Sequence, residues 1–201
     1  MKSLSYKKAL FHLKKDLKLR KIIEKYDLPN WQEKTDLFED IVESIINQQL
    51  SGKAAATIFG RFKKLFKNKF PTPQQVLKVS DEKIRRCGIS YPKIKYIKGL
   101  CSAIVKKELD LENLSNLKDE EVIIELTKIK GIGRWTAEMI LIFSLKRSDV
   151  FSTGDLGLRT AVSKLFNVDR EDKIRIEKIS KKWSPHRSLA SWFLWRSLEN
   201  R

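Results

Sequence analysis

The sequence predicts an all-α fold built as two helical lobes. Three observations carry that expectation. Apolar residues recur at three-to-four spacing along most of the chain. Only eight glycines and five prolines occur, and they fall mostly between the periodic segments. No alternating stretch with turn signals argues for a sheet.

Helices are expected near 5–27, 37–50, 53–68, 73–79, 81–87, 92–109, 118–128, 134–146, 156–166, 170–182 and 187–199. In the second of these, Phe38, Ile41, Val42, Ile45 and Ile46 mark a buried face. Asp36 and Glu39 can start that helix as a capping pair. Pro71 and Pro73 separate two helices. Short helices joined by tight loops suggest a compact helical unit spanning 1–201. Within it, one lobe should cover 36–134 and end at a hairpin. The other should combine 1–35 with 135–201, leaving a cleft between the two.

Composition narrows the function. The 201 residues can hold one sizeable core or two small lobes, and 41% apolar content favours folding over disorder. Lysine and arginine total 42 against 25 acidic residues, a net charge of +17, which points to a polyanionic partner such as nucleic acid. A solvated basic surface is the plainer alternative. No apolar run reaches the roughly 18 residues of a membrane span. The N-terminus shows no secretory signal pattern. The two cysteines, Cys87 and Cys101, imply no pairing and suit a reducing cytoplasm.

The sharpest motif is Leu126-Thr-Lys-Ile-Lys-Gly-Ile-Gly-Arg-Trp-Thr-Ala-Glu138. Gly131 and Gly133 are expected to open backbone angles closed to other residues, with Ile132 plugging inward between them. The following helix N-terminus then offers N–H groups to a phosphate, with Lys128, Lys130 and Arg134 adding positive charge. An ordinary glycine-containing helical turn would read similarly. Downstream, Asp155 follows Gly154 and opens a helix-like run. By local rules it is an N-cap. If it also faces a cleft, a carboxylate held ionised at a helix N-terminus could stabilise a developing oxocarbenium sugar or orient a water.

Together these two elements resemble the helix-hairpin-helix and Gly/Pro-Asp signature of base-excision DNA glycosylases. Ile45-Ile-Asn-Gln-Gln-Leu-Ser-Gly-Lys-Ala-Ala55 and Trp183-Ser-Pro-His-Arg-Ser-Leu-Ala-Ser-Trp-Phe-Leu-Trp-Arg196 resemble segments of the 3-methyladenine DNA glycosylase II family, and Ala9 to Asp16 also fits. The resemblance implies that Asp155 is catalytic, that Trp135 and Trp195 wall the base pocket, and that Gln49 and Leu50 wedge the duplex when a base is extruded. Met139, one turn after Trp135, belongs to the same wall or to the core. Backbone contacts are expected from Lys130, Gly131, Ile132, Gly133, Arg134 and Thr136 at the hairpin, and from Ser51, Lys53 and Arg159 elsewhere. His12, His186 and Arg187 are read as structural.

Three departures sharpen the reading. Relatives with lyase activity carry a lysine where Trp135 stands, so no Schiff base is expected. The four closely spaced cysteines of an iron–sulfur cluster are missing, and neither histidine has a partner at ligand spacing. No cofactor and no catalytic metal are expected; the hairpin could hold a structural monovalent cation. Only about 35 residues precede Asp36, so the N-terminal sheet domain of longer members is expected to be absent. The resemblance therefore implies hydrolytic release of 3-methyladenine or a related purine, by a monomer acting on damaged duplex DNA in the bacterial nucleoid or a nucleus. Rival readings are a non-catalytic binder of damaged DNA and an enzyme for an oxidised or mismatched base.

Overall fold

The computed structural model describes residues 3–31 and 36–199, with side chains from Tyr6 onward. Among the described residues there are helices and no strand. None of the helices is long and apolar enough to cross a membrane. The chain divides into two compact units, Met1–Lys34 with Leu141–Arg201, and Thr35–Ile140.

The first unit begins with α1 (Ser3–Leu13) and α2 (Leu17–Ile23). One helix was expected over 5–27. It is split because the Asp16 carboxylate leaves the helix and accepts the backbone N–H groups of Lys18 and Leu19 at 3.0 and 3.2 Å, capping α2. The same carboxylate accepts Trp183 Nε1 at 3.1 Å. Trp183 is fully buried, ringed by Phe151 and Phe166 at 6.0 and 6.1 Å between centroids. It anchors the core formed by α1, α2, α10 (Leu156–Phe166), α11 (Lys173–Ser180) and α12 (Arg187–Glu199). The predicted helix over 170–182 is shorter than expected, because Asp172 caps it late and Lys181–Trp183 tighten into a 3₁₀ turn.

The second unit holds α3 (Leu37–Asn47), α4 (Gly52–Lys64), α5 (Pro73–Lys78), α6 (Asp81–Arg85), α7 (Tyr91–Val105), α8 (Asp119–Thr127) and the start of α9 (Arg134–Phe143). The five predicted apolar residues of α3 are all buried, each contributing about 2 kcal/mol of transfer free energy. Asp36 caps α3 through the N–H groups of Phe38 and Glu39. The Glu39 carboxylate is turned to Lys63 Nζ at 2.7 Å rather than completing a capping box. Both cysteines are buried and free, and burial pushes the Cys101 thiol up to about 12, which keeps it protonated and unreactive.

Candidate active site

The segment that delivers Asp155 carries no regular structure between Phe143 and α10, so something else must hold it. The Trp-Ser-Pro-His-Arg-Ser motif does so. Arg187 Nε donates to Asp149 Oδ1 at 2.8 Å, and Nη2 donates to Asp149 Oδ2 and to its carbonyl at 3.1 and 2.8 Å. Ser184 Oγ donates to the same carboxylate at 2.8 Å. Ser188 Oγ donates to Arg147 O at 2.7 Å and accepts Val150 N–H at 3.0 Å. Arg187 thus braces the approach to Asp155 as well as the start of α12. His12 and His186 meet edge to face at 5.6 Å.

Burial pushes the Asp149 carboxyl up, but the hydrogen bonds and charge of Arg187 with the Ser184 bond outweigh it, and the net shift is downward. A carboxylate whose folded pKa lies below its unfolded value stabilises the fold at all pH above the unfolded range. That contribution fades as pH falls through the folded value, below about 4. Melting temperature should therefore drop more between pH 5 and 3 in the native chain than in Asp149→Asn, although the variant starts lower. Parallel curves would show that the pair carries no acid-sensitive stability.

Asp155 caps α10 as expected. Its Oδ1 accepts Leu158 N–H at 2.7 Å and Trp195 Nε1–H at 2.9 Å. Two donors on one oxygen fix the plane of the carboxylate and tie α10 to α12. A Cβ on Gly157 would lie 3.1 Å from Asp155 Oδ1 and 3.2 Å from Trp195 Cδ1. Glycine there leaves room for the hydrogen bond. Trp195 leans against Phe143 at 5.6 Å and 31°, and Trp31 meets Phe143 and Trp192 edge to face at 6.3 and 6.4 Å. The carboxylate therefore stands beside an aromatic cluster.

Trp135 lies in the second unit, 46% exposed, and Met139 is half-buried one turn later. The hairpin there has the expected shape. Ile132 is a buried plug and Lys130 is exposed. The two glycines differ, however. Gly131 sits at φ +95°, and a Cβ on it would come within 2.3 Å of the Tyr96 ring. Gly133 has no left-handed φ and open space where its Cβ would be, so only Gly131 is demanded by the backbone. Arg134 forms a fork with Glu120 at 2.7 and 2.8 Å and reaches Glu138 at 3.1 Å. Thr136 is buried. Arg159, in the first unit, is only 12% exposed and pairs with Glu171 and Arg170 O. Ser51 and Lys53 are exposed at the start of α4, where Ser51 Oγ accepts Ala54 N–H at 3.4 Å. Gln49 and Leu50 leave the end of α3, both exposed, with Gln49 at φ +56°.

The model of the HhH-GPD superfamily of base excision DNA repair proteins matches residues 42–186, which takes in the hairpin and Asp155. The chain belongs to the HhH-GPD superfamily. It is 38% identical over 183 residues to the DNA-3-methyladenine glycosylase 1 of Schizosaccharomyces pombe, covering 90% of this chain and 80% of that one. A structure of a Schizosaccharomyces pombe 3-methyladenine DNA glycosylase with abasic DNA matches at TM-score 0.83 and 36% identity, over 94% of this chain and 96% of that one. A DNA-3-methyladenine glycosidase of Bacillus halodurans matches at TM-score 0.82 and 37% identity, over 94% and 88%. Within this HhH-GPD chain, sequence reasoning missed Gly157, Phe143 and Trp31. Phe143 carried a usable signal, since it follows Trp135 and Met139 at four-residue spacing in α9. Gly157 and Trp31 carried none.

Proposed function

We propose that the chain is a monofunctional DNA glycosylase that extrudes an alkylated purine from duplex DNA and hydrolyses its N-glycosidic bond. The supporting observation is Asp155, a carboxylate held by two donors beside an aromatic cluster, in a superfamily member more than one-third identical to 3-methyladenine glycosylases. The C1′–N bond breaks with its electron pair leaving on the base. A cationic alkylated purine departs neutral, so it needs no strong general acid. The fixed negative charge of Asp155 stabilises the oxocarbenium sugar. Water then forms the new C1′–O bond and gives up its proton to Asp155 or to solvent. Trp195, hydrogen-bonded to Asp155, supplies a flat face for the base, with cation–π attraction where it is charged. Backbone contacts come from the hairpin and from Ser51 and Lys53, and one copy of the chain suffices.

Single-lesion duplexes carrying 3-methyladenine, 7-methylguanine, hypoxanthine or an etheno adduct test the reading. The expected result is release of one or more of these bases, strand breakage only after alkali, and no adduct trapped by borohydride. Tight binding without release would make the chain a binder. A trapped adduct, or release confined to an oxidised base, would move it to another branch of the superfamily.

A further inference from the structure

The loop that follows α3 is held from beneath by two side chains that the catalytic reading leaves unused. Helix ends leave carbonyls without intrahelical partners. At the end of α3, Lys93 Nζ donates to Ile46 O at 2.8 Å and to Gln48 O at 2.6 Å. Burial lowers the Lys93 pKa, in keeping with an ammonium drawn in from solvent. Gln48 Nε2 in turn donates to Gly131 O at 2.9 Å, joining the loop to the hairpin turn 83 residues on. Tyr96 packs directly against Gly131. Lys93 and Tyr96 are three residues apart in α7 and share a helix face. One face of α7 thus supports both the loop and the hairpin. The next residue, Gln49, adopts a left-handed φ of +56° without being glycine, a conformation that L side chains rarely hold unless the surroundings favour it.

We propose that Lys93 and Gln48 form a positioning clamp that sets the 48–51 loop in its extrusion-competent shape before DNA arrives and ties its placement to the hairpin. The clamp rests on the reading of Gln49 and Leu50 as the duplex wedge. A wedge already shaped pays no ordering entropy when it enters the stack, so it holds more of the extruded population. Loosening it should slow reactions limited by extrusion and spare those in which the base is already loose.

The experiment uses the full chain and single-turnover base release from two duplexes, one with the lesion fully paired and one with the partner nucleotide missing. Lys93→Met keeps the stem and removes the donors. It should slow the paired duplex about tenfold and the unpaired one by less than about threefold. Lys93→Arg, which keeps donors within reach, should recover most of the difference. Gln48→Leu removes only the bond to Gly131 and should show the same split more weakly; it serves if Lys93→Met fails to fold. The double variant Gln49→Ala with Leu50→Gly is run alongside. If that pair shows no split, the wedge reading falls and the clamp with it. If the pair splits the two duplexes but Lys93→Met and Gln48→Leu slow both equally, or neither, the clamp alone is overturned.

Discussion

Asp155→Asn should lose base release by about 10²–10³-fold, the scale of removing one preorganised charged group from a transition state. Its binding to duplex DNA should stay within about twofold of native. The separation is expected because asparagine can keep both observed contacts. Its carbonyl oxygen can accept Leu158 N–H and Trp195 Nε1–H in the places now held by Oδ1 at 2.7 and 2.9 Å, and asparagine caps helices as well as aspartate does. The charge is what disappears. Single-turnover release, binding to an uncleavable duplex and melting temperature together check this. Near-native release would remove Asp155 from the chemistry. A collapse in melting temperature would show that the carboxylate's contribution is to the fold.

The legible parts of this molecule were those decided by neighbours in sequence. Asp155 as an N-cap follows from its place before an apolar helix, and the buried face of α3 follows from its period. Family resemblance then supplied the role proposed for Asp155. What held Asp155 in place was not legible, because its partners lie far along the chain: Trp195 is 40 residues away and the Arg187–Asp149 lock spans 38. Trp183 could be marked as part of a motif, but its bond to Asp16 spans 167 residues and was beyond reach. That bond, together with the cap at the same carboxylate, also accompanies the break between α1 and α2 that periodicity alone ran through. Charge pairing was not legible either. Arg134 and Arg159 read as cations in the sequence, and the structure engages each with a carboxylate within its own unit. Gly157 could not be singled out because its significance is the space it leaves.

Gly131→Ala should lower stability by about 3–5 kcal/mol, while Gly133→Ala should leave it within about 0.5 kcal/mol. The sequence presents the two glycines as equals on either side of Ile132, and the structure separates them. At Gly131 two penalties combine. An alanine there must hold φ near +95°, and its Cβ would sit 2.3, 2.4 and 2.9 Å from Cδ2, Cγ and Cβ of Tyr96. The last of these atoms is bonded to the α7 backbone, so the ring cannot simply swing aside; either α7 or the hairpin must move. For a chain of this size the loss corresponds to about 10 °C in melting temperature. Tyr96→Ala combined with Gly131→Ala should remove the ring contacts at 2.3 and 2.4 Å and recover that part of the loss, leaving the 2.9 Å contact with the retained Cβ of residue 96 and the backbone part of about 1–2 kcal/mol. At Gly133 neither penalty exists, so a weaker grip on DNA by a fully stable Gly133→Ala would report the close approach of a ligand to the exposed turn. Melting curves with salt-resolved duplex binding on all three variants distinguish the effects. If Gly131→Ala melts like the native chain, neither the φ of +95° nor the Tyr96 contact at that turn constrains residue 131 in solution. If Gly133→Ala unfolds, the open space at that turn is filled in solution.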